Sequence, residues 1–166
     1  TGLLQKYGTT EVSIAGYPEG HPDIPNEVLW QHLEDKSAAL KDEGLDAVIL
    51  TQFAFDTDPV TAWVGAVRER GIASEIRIGT PGPAGIKRLI GFARRFGVGA
   101  NAMIVKKYGF SLTNLMGTAG PDTFVTDLAA ELAQNPSSGD VKLHFYTFVG
   151  LKATSEWAHD YLAARS

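Results

Sequence analysis

At 166 residues the chain is long enough to bury one sizeable core, and its 44% hydrophobic and 20% charged residues are ordinary for a folded domain. A net charge of −4 with no long basic run argues against nucleic acid as a partner. The absence of cysteine excludes disulfides, thiol nucleophiles and cysteine-ligated metals, and no apolar run approaches the roughly 20 residues of a membrane span. No secretory leader is recognisable, so a cytoplasmic location is expected.

The first expected strand is "EVSIAG", Glu11 to Gly16, followed by a loop with three prolines. Asn26 is placed to cap a helix that runs to about Glu43, where Gly44 ends it. "DAVILTQFAF" is too short and too continuously apolar for a bundle helix and reads as a strand buried on both faces. Asp58 and Pro59 read as the cap and first position of a helix carrying Val60, Trp63, Val64 and Val67, with Gly71 as its stop. "SEIRIG" is the third strand, followed by the turn "TPGPAG" and a helix over about Ala84 to Phe96. A less regular region covers Val98 to Thr118, and "PDTFVTDLAAELAQ" is a further helix. After the turn "NPSSGD", "KLHFYTF" is the fourth strand and Ser155 to Ala164 the closing helix.

Strand and helix therefore alternate four times in one domain. The fold class is α/β, with repeated βα units and parallel strands joined by right-handed crossovers. Two architectures satisfy that pattern: an open doubly wound sheet, or half of a (β/α)8 TIM barrel. In both, ligands gather at the C-terminal ends of the strands. That rule brings Tyr17, Glu19 and His21 after the first strand, Gln52 and Asp56 after the second, Gly79 to Gly85 after the third, and Tyr146 and Thr147 after the fourth to one rim.

Each of these residues carries a plain and a functional reading. His21, between Gly20 and Pro22, is either a solvated loop histidine or a hydrogen-bond donor to a ligand. Gln52 ends the most apolar strand. An amide there is tied to neighbouring backbone or reads a heterocycle presenting both donors and acceptors, such as a pterin. Leu29, Leu33, Lys36 and Leu40 fall on one helix stripe, so Lys36 either snorkels to water or reaches an anion at the rim. "GTPGPAG" lacks both G-x-x-x-x-G-K-[ST] and G-x-G-x-x-G, although the helix after it offers backbone N–H groups beside Lys87 and Arg88. Phe92, one turn beyond Arg88, packs in the core or lines the pocket. No histidine–carboxylate spacing resembles a metal site, and no serine sits in a nucleophile elbow.

Taken together, "AGYPEGHPD", "ILTQFAFD", "RIGTPGPAGIKRLIGFA" and "LHFYTF" resemble methylenetetrahydrofolate reductases, over nearly the whole chain and in the C-terminal half of their catalytic barrel. The resemblance implies a barrel that usually binds FMN, takes a hydride from NADH or NADPH, and reduces 5,10-methylenetetrahydrofolate to 5-methyltetrahydrofolate. It implies that Tyr17 and His21 contact the flavin, that Gln52 reads the folate's pterin, and that Arg88 and Phe92 contact substrate. A family lysine near the flavin phosphate matches Lys36 or Lys41, and Lys36 is preferred for its inward stripe. Glu19 is expected to brace the loop by internal hydrogen bonds. The family's proton-donating Glu and flavin-tuning Asp belong to the N-terminal half of the barrel, so no catalytic residue is expected in this stretch.

The chain departs from the family at the end of "HFYTF". Gly150 stands where the family has a folate-contacting Arg, with Lys152 the nearest cation. "GTPGPAG" also replaces the family's usual turn, as in a divergent bacterial branch. A non-redox folate-binding or folate-dependent methyltransferase module is the alternative reading. An unclosed barrel would expose strand edges, which favours a homo-oligomer.

Overall fold

The computed structural model describes residues 2–85, 91 and 118–165. In chain order the elements are α1 (Leu3–Lys6), β1 (Glu11–Gly16), α2 (Asn26–Asp42), β2 (Asp46–Phe53), α3 (Thr57–Glu69), β3 (Glu75–Pro81), β4 (Ala84–Gly85), β5 (Thr118–Ala119), α4 (Asp122–Ala133), a 3-10 turn (Pro136–Ser138), β6 (Val141–Tyr146) and α5 (Leu151–Ala163). Strands β1, β2, β3 and β6 form a parallel sheet in that order. A doubly wound sheet reverses its strand order at a switch point. Here each unit adds its strand on the same side as the last, which is the winding of a barrel. The chain is α/β and forms part of a TIM barrel.

Register and burial together define the two faces. Ile14, Ile49 and Ile76 stand side by side, and with Ile78 they pack on Leu33 of α2, on Val60, Trp63, Val64 and Val67 of α3, and on Phe124, Val125 and Leu128 of α4. This is the helix-covered face. The opposite face carries the alternate residues, since successive side chains point to opposite sides. On it Ala15 stands beside Leu50, Leu50 beside Arg77, and Arg77 beside Lys142.

Charged groups gather at the N-terminal end of that second face. Arg77 pairs with Glu75 and Glu11, and Lys142 pairs with Glu75 and Asp140. Hydrogen bonds from Lys142 and then Arg77 hold the Glu75 carboxyl below its usual range. A carboxylate depressed on folding adds stability above its unfolded value, about 4.3, and loses that contribution as pH falls through the folded value. Glu75→Gln is therefore expected to lower the melting temperature at neutral pH. The gap from the parent should close on acidification below about pH 4. A gap that stays constant down to pH 2.5 would show that Glu75 titrates no differently once folded.

Arg68 ties the layers together from beneath. Its guanidinium donates to the carbonyls of Ser138 (2.7 Å), Ile72 (2.8 Å), Ser74 (2.8 Å) and Asp140 (3.2 Å). One side chain thus joins the end of α3 to the starts of β3 and β6.

Several boundaries differ from the sequence reading. Asp56, not Asp58, caps α3, accepting from the Asp58 N–H at 3.3 Å, and Thr57 is the first helical residue. Ala84 and Gly85 are a short strand paired antiparallel with β5 rather than the start of a helix. The closing helix begins at Leu151, four residues earlier than expected.

Candidate functional site

The loop after β1 is folded by its own backbone. Tyr17, Pro18, Glu19 and Gly20 make a tight turn, with the Gly20 N–H donating to the Tyr17 carbonyl at 3.1 Å. Gly20 has φ +77, which a side chain rarely adopts, and a β-carbon there would also sit 2.9 Å from Asn26 Oδ1. His21 continues the fold. Its Nδ1 accepts from the Asp23 N–H at 3.1 Å, and it bridges to Ile24. In the neutral ring the proton then lies on Nε2, which has no partner among the described residues. The Tyr17 ring stands edge-on to His21 at 5.9 Å. The two residues form one wall.

Glu19 does not brace this loop as expected, because it makes no hydrogen bond among the described residues. Desolvation against the loop, with the negative charge of Asp56 adding to it, pushes its carboxyl above the usual range, although part of the side chain faces solvent. The hydrogen bonds of Gly20 and His21 do the bracing instead.

A cavity of about 260 Å³ lies beside this wall, lined by Ser13, Ala15, Tyr17, Leu50, Gln52 and Tyr146 among others. It occupies the C-terminal end of the second face of the sheet, where the fold rule puts ligands. Gln52 is half-buried, and its side-chain amide makes no hydrogen bond among the described residues. Tyr146 closes the far side, its hydroxyl donating to the Thr51 carbonyl at 3.0 Å. Burial, with Tyr17 nearby, raises the Tyr146 phenol above its ordinary value, so it stays a neutral donor. His144, next on the same face, is pushed down by burial and then by the Arg77 charge.

An aromatic cluster caps this end. Phe53 meets Tyr146 at 5.7 Å and Phe148 at 5.2 Å, both edge to face. Phe148 and Val149 both have positive φ, 44° and 69°. For a β-branched residue such as Val149 that is a strained conformation. The loop "TFVG" thus turns Phe148 back onto the cluster while Val149 points to solvent, 93% exposed.

The expected site residues are only partly brought together. Tyr17 and Gln52 share the cavity, and His21 stands against Tyr17. Lys36 does not lie on the inward stripe. Trp30 stacks on Trp63 at 5.8 Å and fixes the phase of α2, so Trp30, Leu33, Ser37 and Leu40 turn inward and Lys36 is exposed. It is also about 15 Å along the helix from Asn26, which begins at the rim. Lys41 lines a groove of about 960 Å³ at the opposite, N-terminal end of the strands, with Glu34, Arg70 and Glu75. Lys152 does not take the place of the family Arg. Its side chain is 88% exposed and pairs with Glu156 at 3.7 Å. Arg88 and Phe92 lie outside the described residues.

Tyr146 was expected at the rim but without a role, and Thr51, Phe53 and Phe148 were not among the expected site residues. The signal for Tyr146 was present in "HFYTF", since alternation puts His144 and Tyr146 on one face. Thr51 carried no signal, because its part depends on a register shift.

The residues fit a flat, polar-edged ring. Ala15 is a small residue beside Tyr17, and the His21 Nε2 and the Gln52 amide are polar groups with no hydrogen-bond partner among the described residues. Among the described residues no metal-binding cluster of His, Asp or Glu occurs, and no helix is long and apolar enough to cross a membrane.

Comparison with known proteins points the same way. The family model described as methylenetetrahydrofolate reductase matches residues 2–159. Methylenetetrahydrofolate reductase 2 of Saccharomyces cerevisiae is 36% identical over 94 residues, which is 56% of this chain. That match spans 15% of the yeast protein's length. Because the family model runs across nearly all of a sheet wound as these barrels are wound, the chain belongs to the methylenetetrahydrofolate reductase family.

Proposed function

We propose that this chain provides the flavin and folate wall of an oxidoreductase that reduces 5,10-methylenetetrahydrofolate to 5-methyltetrahydrofolate with NADH or NADPH, usually through FMN. The observation that carries this reading is the Gln52 amide beside Tyr17 and Tyr146, without a hydrogen-bond partner among the described residues, in a chain of this family. A pterin edge presents donors and acceptors together, and a primary amide answers both. Tyr17 and His21 would hold the flavin ring, His21 through its Nε2–H. A flavin bound there supplies the hydride-carrying ring, while the protein supplies orientation and electrostatics. Arg88 and Phe92 are assigned to substrate contacts on the family resemblance.

Gln52→Ala in the full-length protein is expected to raise KM for methylenetetrahydrofolate by about ten-fold or more, since a lost polar contact to a ligand is worth roughly 1–3 kcal/mol. KM for NADH or NADPH should stay where it was. Steady-state kinetics in each substrate separates the two. An unchanged folate KM would sink the reading of Gln52. Folate binding without any oxidation of NADH or NADPH by the parent protein would favour the non-redox folate module.

A further inference from the structure

We propose that Thr51 and Tyr146 are positioning residues that lock a bulge in β2 and thereby hold the backbone of Gln52 in place at the cavity. The proposal rests on the reading of Gln52 as the pterin-binding amide and adds the device that holds it. Leu50 pairs with Arg77 and Phe53 with Gly79, so β2 spends two residues where β3 spends one. A regular strand sends consecutive side chains to opposite faces. Leu50 and Gln52 both line the cavity, as that alternation requires, so the extra residue is felt just beyond Gln52, and bulges are known to re-aim side chains in this way. Gln52 lines the cavity beside Tyr146, and the next residue, Phe53, packs on the Tyr146 ring as well.

A bulge leaves ladder groups without their usual partners, and buried backbone groups must find others. Two hydroxyls supply them. The Gly79 N–H donates to Thr51 Oγ1 at 2.8 Å, and that hydroxyl in turn donates to the Gln52 carbonyl at 2.8 Å. The Tyr146 hydroxyl donates to the Thr51 carbonyl at 3.0 Å. The ladder resumes beyond them, with the Ala54 N–H donating to the Gly79 carbonyl at 3.0 Å. Thr51 is fully buried, so water cannot replace its hydroxyl. Three strands thus converge on the backbone of the residue that presents the amide.

The test uses the full-length protein, four single variants (Thr51→Val, Thr51→Ser, Tyr146→Phe and Gln52→Ala) and the double variant Thr51→Val with Gln52→Ala. Thr51→Val keeps the shape and removes the hydroxyl. It is expected to raise KM for methylenetetrahydrofolate about ten-fold, the size of one lost hydrogen bond, with KM for the nicotinamide donor unchanged. Thr51→Ser should restore the parent value. Tyr146→Phe, the mildest change, should shift the same constant in the same direction if Thr51→Val fails to fold. Thr51→Val combined with Gln52→Ala should be no worse than Gln52→Ala alone. Equal rises in both KM values, full additivity with Gln52→Ala, or failure of serine to rescue would each overturn the latch. Should Gln52→Ala itself leave the folate KM unchanged, the pterin reading falls and a crystal structure of Thr51→Val decides the latch separately. A displaced Gln52 or a regular β2–β3 register upholds it, and an undisturbed bulge with Gln52 in place overturns it.

Discussion

Gly79→Ala is expected to destabilise the protein by about 3 kcal/mol, the upper part of the range for forcing atoms into a filled core. A β-carbon at this position would lie 2.6 Å from the Gln52 carbonyl oxygen, 2.7 Å from that of Thr51 and 2.7 Å from the Tyr146 ring. The first two contacts are with backbone, which cannot swing aside as a lysine tip can. Gly79 is extended, so the requirement is for space and not for an unusual dihedral. Relief would have to come from moving β2 at the bulge, and the loss of stability should therefore bring a loss of folate affinity. Chemical denaturation measures the first effect and ligand titration the second. Wild-type stability in Gly79→Ala would mean that the strands separate there at little cost, which contradicts the packing described.

Arg68→Ala is expected to cost on the order of 3 kcal/mol, or roughly 10 °C in melting temperature for a domain of this size. The guanidinium serves four carbonyls on two sides of the sheet's lower edge, and alanine leaves them to find water in a partly buried place. Burial lowers the Arg68 pKa, and only the Asp140 charge opposes that. The contribution is therefore one of geometry more than of ion pairing. Arg68→Lys tests the distinction, since an ammonium keeps the charge but cannot span the fork. Lysine should recover well under half of the loss in a thermal melt. Full recovery by lysine would show that charge is what matters there.

The strands and helices of the described fold were largely legible in the sequence. "DAVILTQF" and "EIRIG" read as strands because continuous β-branched apolar runs suit a sheet covered on its faces. The choice between a doubly wound sheet and a barrel was not legible in the alternation, which both share, and rested on the family motifs, whose implied barrel the strand order bears out. It is settled by which strand lies beside which. The phase of α2 misled for a similar reason. Leu29, Leu33 and Leu40 allow two neighbouring stripes, and the stacking of Trp30 on Trp63 selects the one that excludes Lys36. In the site, Tyr17, His21, Gln52 and Tyr146 could be named from their places at strand ends, though not the part Tyr146 plays. Tyr146 and Thr51 act on a carbonyl and an N–H created by a register shift, and side-chain chemistry in the sequence does not announce a shift.

That shift divides one strand into two kinds of architecture. Up to Leu50, the strand is joined to its neighbours by a regular backbone ladder, whose hydrogen bonds need no particular side chain. Between Leu50 and Phe53, on the side facing β3 and β6, the joining passes through the hydroxyls of Thr51 and Tyr146 and through the bare backbone of Gly79. The lower part can exchange one aliphatic residue for another of similar volume and remain a strand. The upper part has serine as the only substitute for threonine that keeps the same hydroxyl. The freedom of this sequence to drift therefore changes abruptly within a single strand, and the boundary coincides with the edge of the cavity.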